Sequence, residues 1–447
     1  MADQVRPVWV WLPGHVAPVR CGTFEWSPGL GRFSYSEDYR KHDGALPLDP
    51  INLPFTRSQK PDTTTSMNGV FGVLRDAAPE GFGLDMLLAR HAKETLDEVE
   101  RMDLAPGDGV GAIEVCEDGQ IERKVAFVPP TEDDLKIILA ETEEGYSPRR
   151  VVRRLSGVND STSLGGEKPK LTVSREVDGA TEWWIAKLQE REGAPHLPAR
   201  EYVAMTLAAR CGIDVAAVRY ERVGPHEVVL VRRFDRKVTD AGVERTLFAS
   251  AATVLRLRGD STPEDPDRSY VKLAYELRRW CGDRTQGYVE QQRELWRRMT
   301  FNALVGNYDD HPRNHGLLCR AGTWTLSPAY DVVAIPRRRE VQAMAVNRAG
   351  TRLATPESLV KDAASFSYGV VEAWDVLRGM AATVHTSWQQ LFLDVGMDEA
   401  TLESQRPAFQ LAEQIVTGEL SLDPSQFERP RRARAARSVA ARSTDKA

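Results

Sequence analysis

A chain of 447 residues, 41% hydrophobic and 28% charged, is long enough for two or three domains with sizeable cores and is neither low-complexity nor membrane-like. The net charge of -6 is unevenly placed: residues 429–447 hold seven basic groups and one acidic, leaving about -12 on the body and excluding a broad nucleic-acid-binding face there. No apolar run is long enough to cross a bilayer, and Met1-Ala2-Asp3-Gln4-Val5-Arg6-Pro7 lacks the basic and apolar regions of a secretory signal, so a cytoplasmic location is expected. The five cysteines, Cys21, Cys116, Cys211, Cys281 and Cys319, are scattered and odd in number, which fits neither a disulfide framework nor a zinc site.

In chain order, Val8-Trp9-Val10-Trp11-Leu12 and Gly31-Arg32-Phe33-Ser34-Tyr35 read as strands. Phe71 to His91 reads as helix in two pieces, divided at Pro79-Glu80-Gly81. The run Ala105-Pro106-Gly107-Asp108-Gly109-Val110-Gly111-Ala112 resembles a phosphate loop but lacks its Lys-Ser/Thr ending, and reads as a connecting loop. Pro129-Pro130 marks a boundary, followed by a helix over Thr131 to Ala140.

Next come Ser163-Leu164-Gly165-Gly166-Glu167-Lys168-Pro169-Lys170, a strand Leu171-Thr172-Val173, an Asp178-Gly179 turn, and a returning strand from Trp183 to Leu188 that carries Lys187. Glu201 opens a helix with its stop at Gly212, and strands follow at Val218-Arg219-Tyr220 and Val228 to Val231. A hinge is expected near Asp235. This is the order of a kinase small lobe, in which Gly165 and Gly166 let backbone N–H groups approach phosphate, Lys170 and Lys187 bind the nucleotide, and Glu201 fixes Lys187. Each has an ordinary alternative: a generic turn, a solvated lysine, or a glutamate favoured by the helix dipole.

Helical spacing links Tyr270, Leu273, Leu277 and Trp280, and again Tyr288, Leu295, Trp296, Met299 and Leu304, before Val305-Gly306 delivers the chain to Asn307-Tyr308-Asp309-Asp310-His311-Pro312-Arg313-Asn314. Asp309 and Asn314 have the Asp-x-x-x-x-Asn spacing of a kinase catalytic loop, in which the Asp meets the acceptor hydroxyl and the Asn holds a metal ion. A hairpin over Leu317-Leu318-Cys319 and Thr323 to Leu326 leads to Asp331, placed for a second metal-binding carboxylate. The bland alternative is an acidic turn. One more amphipathic helix is expected between Phe409 and Leu420. The Ala/Arg/Ser-rich end reads as a disordered basic tail, either solvated or an arm for nucleic acid or an acidic partner.

Ser163-Leu164-Gly165-Gly166-x-x-Pro169-Lys170, Asn307-x-Asp309-Asp310-His311-x-Arg313-Asn314-His315 and Pro328-x-Tyr330-Asp331 together resemble the HipA-type serine/threonine kinase toxins of bacterial type II toxin–antitoxin systems. Gly69-Val70-Phe71 through Pro79-Glu80-Gly81 is similar to that family's N-terminal domain. Glu167 and Lys168 stand where the family usually has a small residue and Gln. The resemblance implies a two-lobed, protein-kinase-like α+β fold with a small mixed N-terminal domain and a mainly helical C-lobe. The expected division is residues 1–128, a small lobe over 129–235, a large lobe over 236–427 and a tail over 428–447.

The resemblance also implies site roles: Lys187 on ATP phosphates, Asp309 on the acceptor, Asn314 and Asp331 on Mg²⁺, and His311 as a supporting loop residue or a structural histidine. It makes Ser163 an autophosphorylated serine whose modification ejects the Gly loop. It further implies a protein substrate, one candidate class being the translation machinery, and an antitoxin, a small helix-turn-helix protein through which operator DNA is bound. Two other readings stay open: a small-molecule kinase on the same scaffold, and a non-catalytic nucleotide-binding regulatory subunit acting with a DNA-binding antitoxin.

Overall fold

The computed structural model of the chain describes residues 4–57, 60–141, 148–159, 168–190, 193–259, 261–282, 287–337 and 341–427. Ser163, Gly165, Gly166 and the basic tail lie outside the described residues.

Strands β1 (Gln4–Val10), β2 (Val19–Ser27), β3 (Leu30–Tyr35), β4 (Asp62–Thr64) and β5 (Ile113–Val115) form an antiparallel sheet in the order β4-β3-β2-β1-β5. Burial alternates along it, with Val8, Val10, Phe24, Trp26, Phe33 and Tyr35 inside, the period-2 pattern of a sheet with one face on a core. A Cβ on Gly31 would meet Gly69 O at 1.9 Å, so only glycine allows the close backbone approach there. Helices Gly72–Asp76 and Phe82–Arg90 flank the Pro79-Glu80-Gly81 break as expected.

Antiparallel strands β6 (Lys170–Val177), β7 (Ala180–Leu188), β8 (Val218–Val223) and β9 (His226–Arg232) follow, ordered β6-β7-β9-β8. Asp178 and Gly179, at φ 50° and 80°, close the β6–β7 turn in the left-handed region that Asp and Gly tolerate. Strand β9 is buried on both faces. Val228 and Leu230 join Leu135, Leu139, Val151, Val152 and Leu155 of helices Glu132–Ala140 and Pro148–Asn159, with Phe82 reaching in from the N-terminal region. Val229 and Val231 join the main core with Val203, Ala204 and Leu207 of helix Leu197–Arg210. This helix starts four residues before the expected opening at Glu201, because Pro198 sits in its first turn, where a proline needs no hydrogen-bond partner. Glu201 therefore lies in the second turn.

The large lobe holds more sheet than its sequence suggests. Strands β10 (Arg236–Thr239) and β11 (Gly242–Arg245) form a hairpin, and β12 (Leu247–Ser250) pairs with β13 (Gly316–Arg320), which pairs with β14 (Thr323–Leu326). Helices Tyr270–Trp280 and Gly287–Leu304 match expectation. Helix Val370–Asp394, with 25 residues, is where sequence analysis assigns nothing, although Ala373, Leu377, Met380, Val384, Trp388 and Leu391 are buried at helical spacing. Trp388 stacks on Phe409, centroids 4.7 Å apart, just ahead of Gln410–Val416, the only α-helix found over the expected 409–420 span.

The Gly-rich run 105–112 is a junction, as its missing lysine implied. Arg233 donates to Asp108 O at 2.7 Å and Gly109 O at 2.9 Å, Arg236 donates to Gly111 O at 2.7 Å, and Gly111 N donates to Asp235 at 2.8 Å. Asp235 also pairs with Arg233 at 2.8 Å and Arg236 at 2.7 Å, all three being buried. The segment near Asp235, where the hinge is expected, is thus also anchored to the N-terminal region through carbonyls that no local pattern reveals.

Candidate active site

Pairing of β6 with β7 places Lys170 directly opposite Lys187. Like charges in facing positions repel. Burial first, and Lys187 second, push the Lys170 ammonium down to about 8. Lys187 escapes that fate because Nζ contacts Glu201 Oε1 at 2.6 Å and Asp331 Oδ1 at 2.5 Å. Burial alone would lower it, but the two carboxylates outweigh this and hold it well above the usual lysine value. The two carboxylates respond oppositely. Burial raises Glu201, against the pull of Lys187, whereas for Asp331 the charges of Lys187 and Lys170 overcome burial and keep the carboxyl strongly depressed.

Asp331 sits at φ 59°, a left-handed conformation that costs energy for a non-glycine residue and concentrates at functional sites. Its approach is fixed by neighbours. Ala329 N donates to Asp214 O at 2.7 Å, Ala216 N to Ala329 O at 2.9 Å, and the buried Arg298 donates to Ser327 O at 2.8 Å. One stretch after the small-lobe helix therefore pairs with the stretch that carries Asp331.

The loop bearing Asp309 leaves helix Gly287–Leu304 through Gly306, at φ 64° with its Cβ position 3.0 Å from Ala408 O. Asn307 folds back, N to Asn302 O at 2.8 Å. A 3-10 turn over Pro312–Asn314 then returns Asn314 to Asp309, with Nδ2 donating to Asp309 O at 3.3 Å. Asp309 faces solvent, where partial desolvation raises its carboxyl, His311 opposing and Asp331 adding.

Asp310, next in the chain, turns inward and accepts from Tyr270 Oη and, at 2.7 Å, from His315 Nε2. Sequence analysis passed over this buried trio: Asp310 and His315 stand in the motif, but Tyr270 looked like ordinary core. Lys168, a departure from the family pattern, lies close enough for its charge to act on Asp309, Asp331 and Glu201. Nothing in the sequence announced that.

Of the predicted site residues, the fold brings Lys170, Lys187, Glu201 and Asp331 into one cluster, and Asp309 with Asn314 into one loop whose Asp309 carboxyl feels the Asp331 charge. His311 forms the bend of the loop, its N donating to Asp309 O at 2.8 Å and its O accepting from Asn314 N at 2.9 Å. Among the described residues, no group of three or more His, Cys, Asp or Glu side chains is placed to hold a metal ion, and no helix is long and apolar enough to cross a membrane. The first finding is compatible with Mg²⁺, which takes one or two protein oxygens and completes its shell with phosphates and water.

Comparison with known proteins bears on the family and the fold. The HipA-like C-terminal domain matches residues 162–388 and the HipA N-terminal domain matches residues 10–116. A Sinorhizobium fredii protein that bears the name putative kinase Y4dM is 28% identical over 239 residues, 50% of this chain and 54% of its own, so the chain spans about half the length of that relative. The Shewanella oneidensis serine/threonine-protein kinase toxin HipA is 22% identical over 360 residues, 75% of this chain and 78% of its own. The solved complex of Shewanella oneidensis HipA, HipB and operator DNA contains a chain that superposes with a TM-score of 0.62 at 18% identity, covering 92% of this chain and 97% of that one. With matches to both domains and more than half its length covered by the C-terminal one alone, the chain belongs to the HipA family and has its two-lobed, kinase-like α+β fold.

Proposed function

We propose that the protein is an ATP- and Mg²⁺-dependent serine/threonine-protein kinase, the toxin of a type II toxin–antitoxin system. The observation that carries this is Lys187 held between Glu201 and Asp331, because a strand lysine, a helix glutamate and a metal-binding aspartate are the parts a phosphoryl-transfer site must assemble. Lys187 and Lys170 neutralise phosphate oxygens; the repulsion between these lysines gives the pair a reason to take an anion. Asp309 orients the acceptor hydroxyl and takes its proton, and its raised carboxyl is the better matched to that exchange. Asn314 and Asp331 hold Mg²⁺, which supplies charge neutralisation on the transferring phosphate.

The domain division of 1–128, 129–235 and 236–427, the cytoplasmic location, an antitoxin partner of helix-turn-helix type that carries the operator contact, and a cellular protein as substrate belong to the same reading. So does self-inactivation by phosphorylation of Ser163, where added negative charge repels the nucleotide. The intact Asp309, Asn314 and Asp331 favour it over a non-catalytic regulatory subunit. The test is incubation of the purified protein and its Asp309→Asn variant with labelled ATP, Mg²⁺ and cell lysate. Label should enter protein seryl or threonyl groups, Ser163 among them, with wild type only. Label in small molecules alone would replace this reading with a small-molecule kinase, and no transfer at all would overturn it.

A further inference from the structure

The candidate catalytic loop is touched from outside the two lobes. Glu80, in the turn between helices Gly72–Asp76 and Phe82–Arg90, pairs through Oε2 with Arg313, the residue before Asn314. Its other oxygen takes Arg75 Nε at 2.5 Å, and Arg75 in turn pairs with Glu98. Glu80 is thus fixed on the N-terminal side before it meets the loop.

A second grip lies on the far side of Asn314. Asp76 accepts from Ser250 N at 2.7 Å, Ser250 Oγ at 2.7 Å and Thr253 Oγ1 at 2.8 Å. Those residues form the first turn of helix Ala251–Val254, and the next amide, Ala251 N, donates to His315 O at 2.8 Å. The approach is close: a Cβ on Gly72 would stand 2.6 Å from Thr253 Oγ1. Arg313 is additionally held through its carbonyl, which accepts from Tyr330 Oη at 2.7 Å beside Asp331.

We infer that Asp76 and Glu80 are positioning residues for phosphoryl transfer: the N-terminal domain sets the placement of Asn314 and Asp309 by holding Arg313 on one side and the His315 carbonyl on the other. The inference rests on the kinase reading of the site. The alternative is plain interdomain adhesion, and the exposures distinguish the two. Arg313 keeps 45% of its side-chain exposure against 16% for Glu80, and a pair with one end in water contributes less to stability than a fully buried one. Its consequence is direction rather than adhesion. Loss of that direction reaches the chemistry, since small misplacements at a reacting centre carry large rate penalties.

The test compares full-length wild type with Glu80→Gln, Asp76→Asn, Arg313→Gln and the Glu80→Gln/Arg313→Gln pair, reading kcat, KM for ATP, Tm and amide exchange over residues 307–316. Glu80→Gln should lower kcat by roughly ten- to a hundredfold while KM for ATP moves by less than about twofold and Tm stays unchanged. Asp76→Asn should lower kcat in the same way. The paired variant should be no slower than the more damaging single one, because both remove one contact. Exchange should quicken over 307–316 and stay unchanged in helix Val370–Asp394. Unchanged kcat and exchange in Glu80→Gln, or losses that add in the pair, would overturn the proposal. If wild type transfers no phosphate, the kinase reading fails, and the exchange comparison still decides whether the N-terminal domain positions this loop.

Discussion

Lys187 Nζ lies 2.6 Å from Glu201 Oε1 and 2.5 Å from Asp331 Oδ1, so one ammonium ties the small-lobe helix to the large-lobe strand of chain that follows the catalytic loop. Replacing it by Met leaves two carboxylates facing each other with no cation between them. Breaking a buried pair costs about 3–5 kcal/mol, and the 35% exposure of the Asp331 side chain places the Lys187→Met loss near the lower figure. Adding Glu201→Gln should recover part of that stability without restoring phosphoryl transfer. Denaturant midpoints and label transfer, measured on the same preparations, separate the two effects.

Asp309 and Asp331 are assigned to different partners, and their removal should differ in kind. Asp309→Ala should abolish transfer and leave ATP binding largely intact, because Asp309 is assigned to the acceptor and not to the nucleotide. Asp331→Ala should weaken Mg²⁺-ATP binding itself. Calorimetric titration with ATP, with and without Mg²⁺, checks both; wild-type transfer in Asp309→Ala, or an unaltered Mg²⁺ dependence in Asp331→Ala, contradicts the respective role.

Lys170 offers a pH signature. Its folded value, about 8, lies below the ordinary 10.5, so as a depressed base its contribution to stability is present above 10.5 and is lost as pH falls through about 8. A bound polyphosphate reverses the cause by favouring the charged form. ATP binding at pH 8 to 9 should therefore take up protons, seen as a dependence of binding enthalpy on the ionisation enthalpy of the buffer. Lys170→Arg should remove the uptake, since arginine stays charged throughout this range. Uptake that persists in Lys170→Arg would assign the proton to another group.

Asp235 should dominate the acid limb of stability near the interdomain junction. Burial alone would raise its carboxyl, but Arg233 and Arg236 hold it far below the ordinary carboxylate range. A depressed acid contributes stability above its unfolded value of 3.8, lost as pH falls toward the folded one. Asp235→Ala at neutral pH leaves two buried guanidinium groups without their carboxylate, a loss of about 3–5 kcal/mol. Urea unfolding from pH 7 down to 3 should show the variant less stable at pH 7 and with a flatter acid dependence than wild type.

The elements that carry their own local signal were legible in the sequence. The Asp178-Gly179 turn, the helix beginning near Thr131, the break at Pro79 and the helical spacing of Leu273 and Leu277 depend on residues a few positions apart. The Asp309 and Asn314 spacing is local in the same way, so the loop is legible without the fold. Helix Val370–Asp394 carried its signal too, in evenly spaced apolar residues that were left unassigned.

What only the tertiary structure decided are the relations between distant segments. Lys187 and Asp331 are 144 positions apart, and Asp76 and Ser250 are 174 apart. Strand β12 takes its place from pairing with β13, and the anchoring of Asp235 depends on carbonyls at Asp108, Gly109 and Gly111 that no pattern around Asp235 encodes. Side-chain identity and spacing set which groups are available and which local shapes they favour. Charge pairing, desolvation and the depressed lysine exist only once packing has removed water and brought those groups within a few ångström.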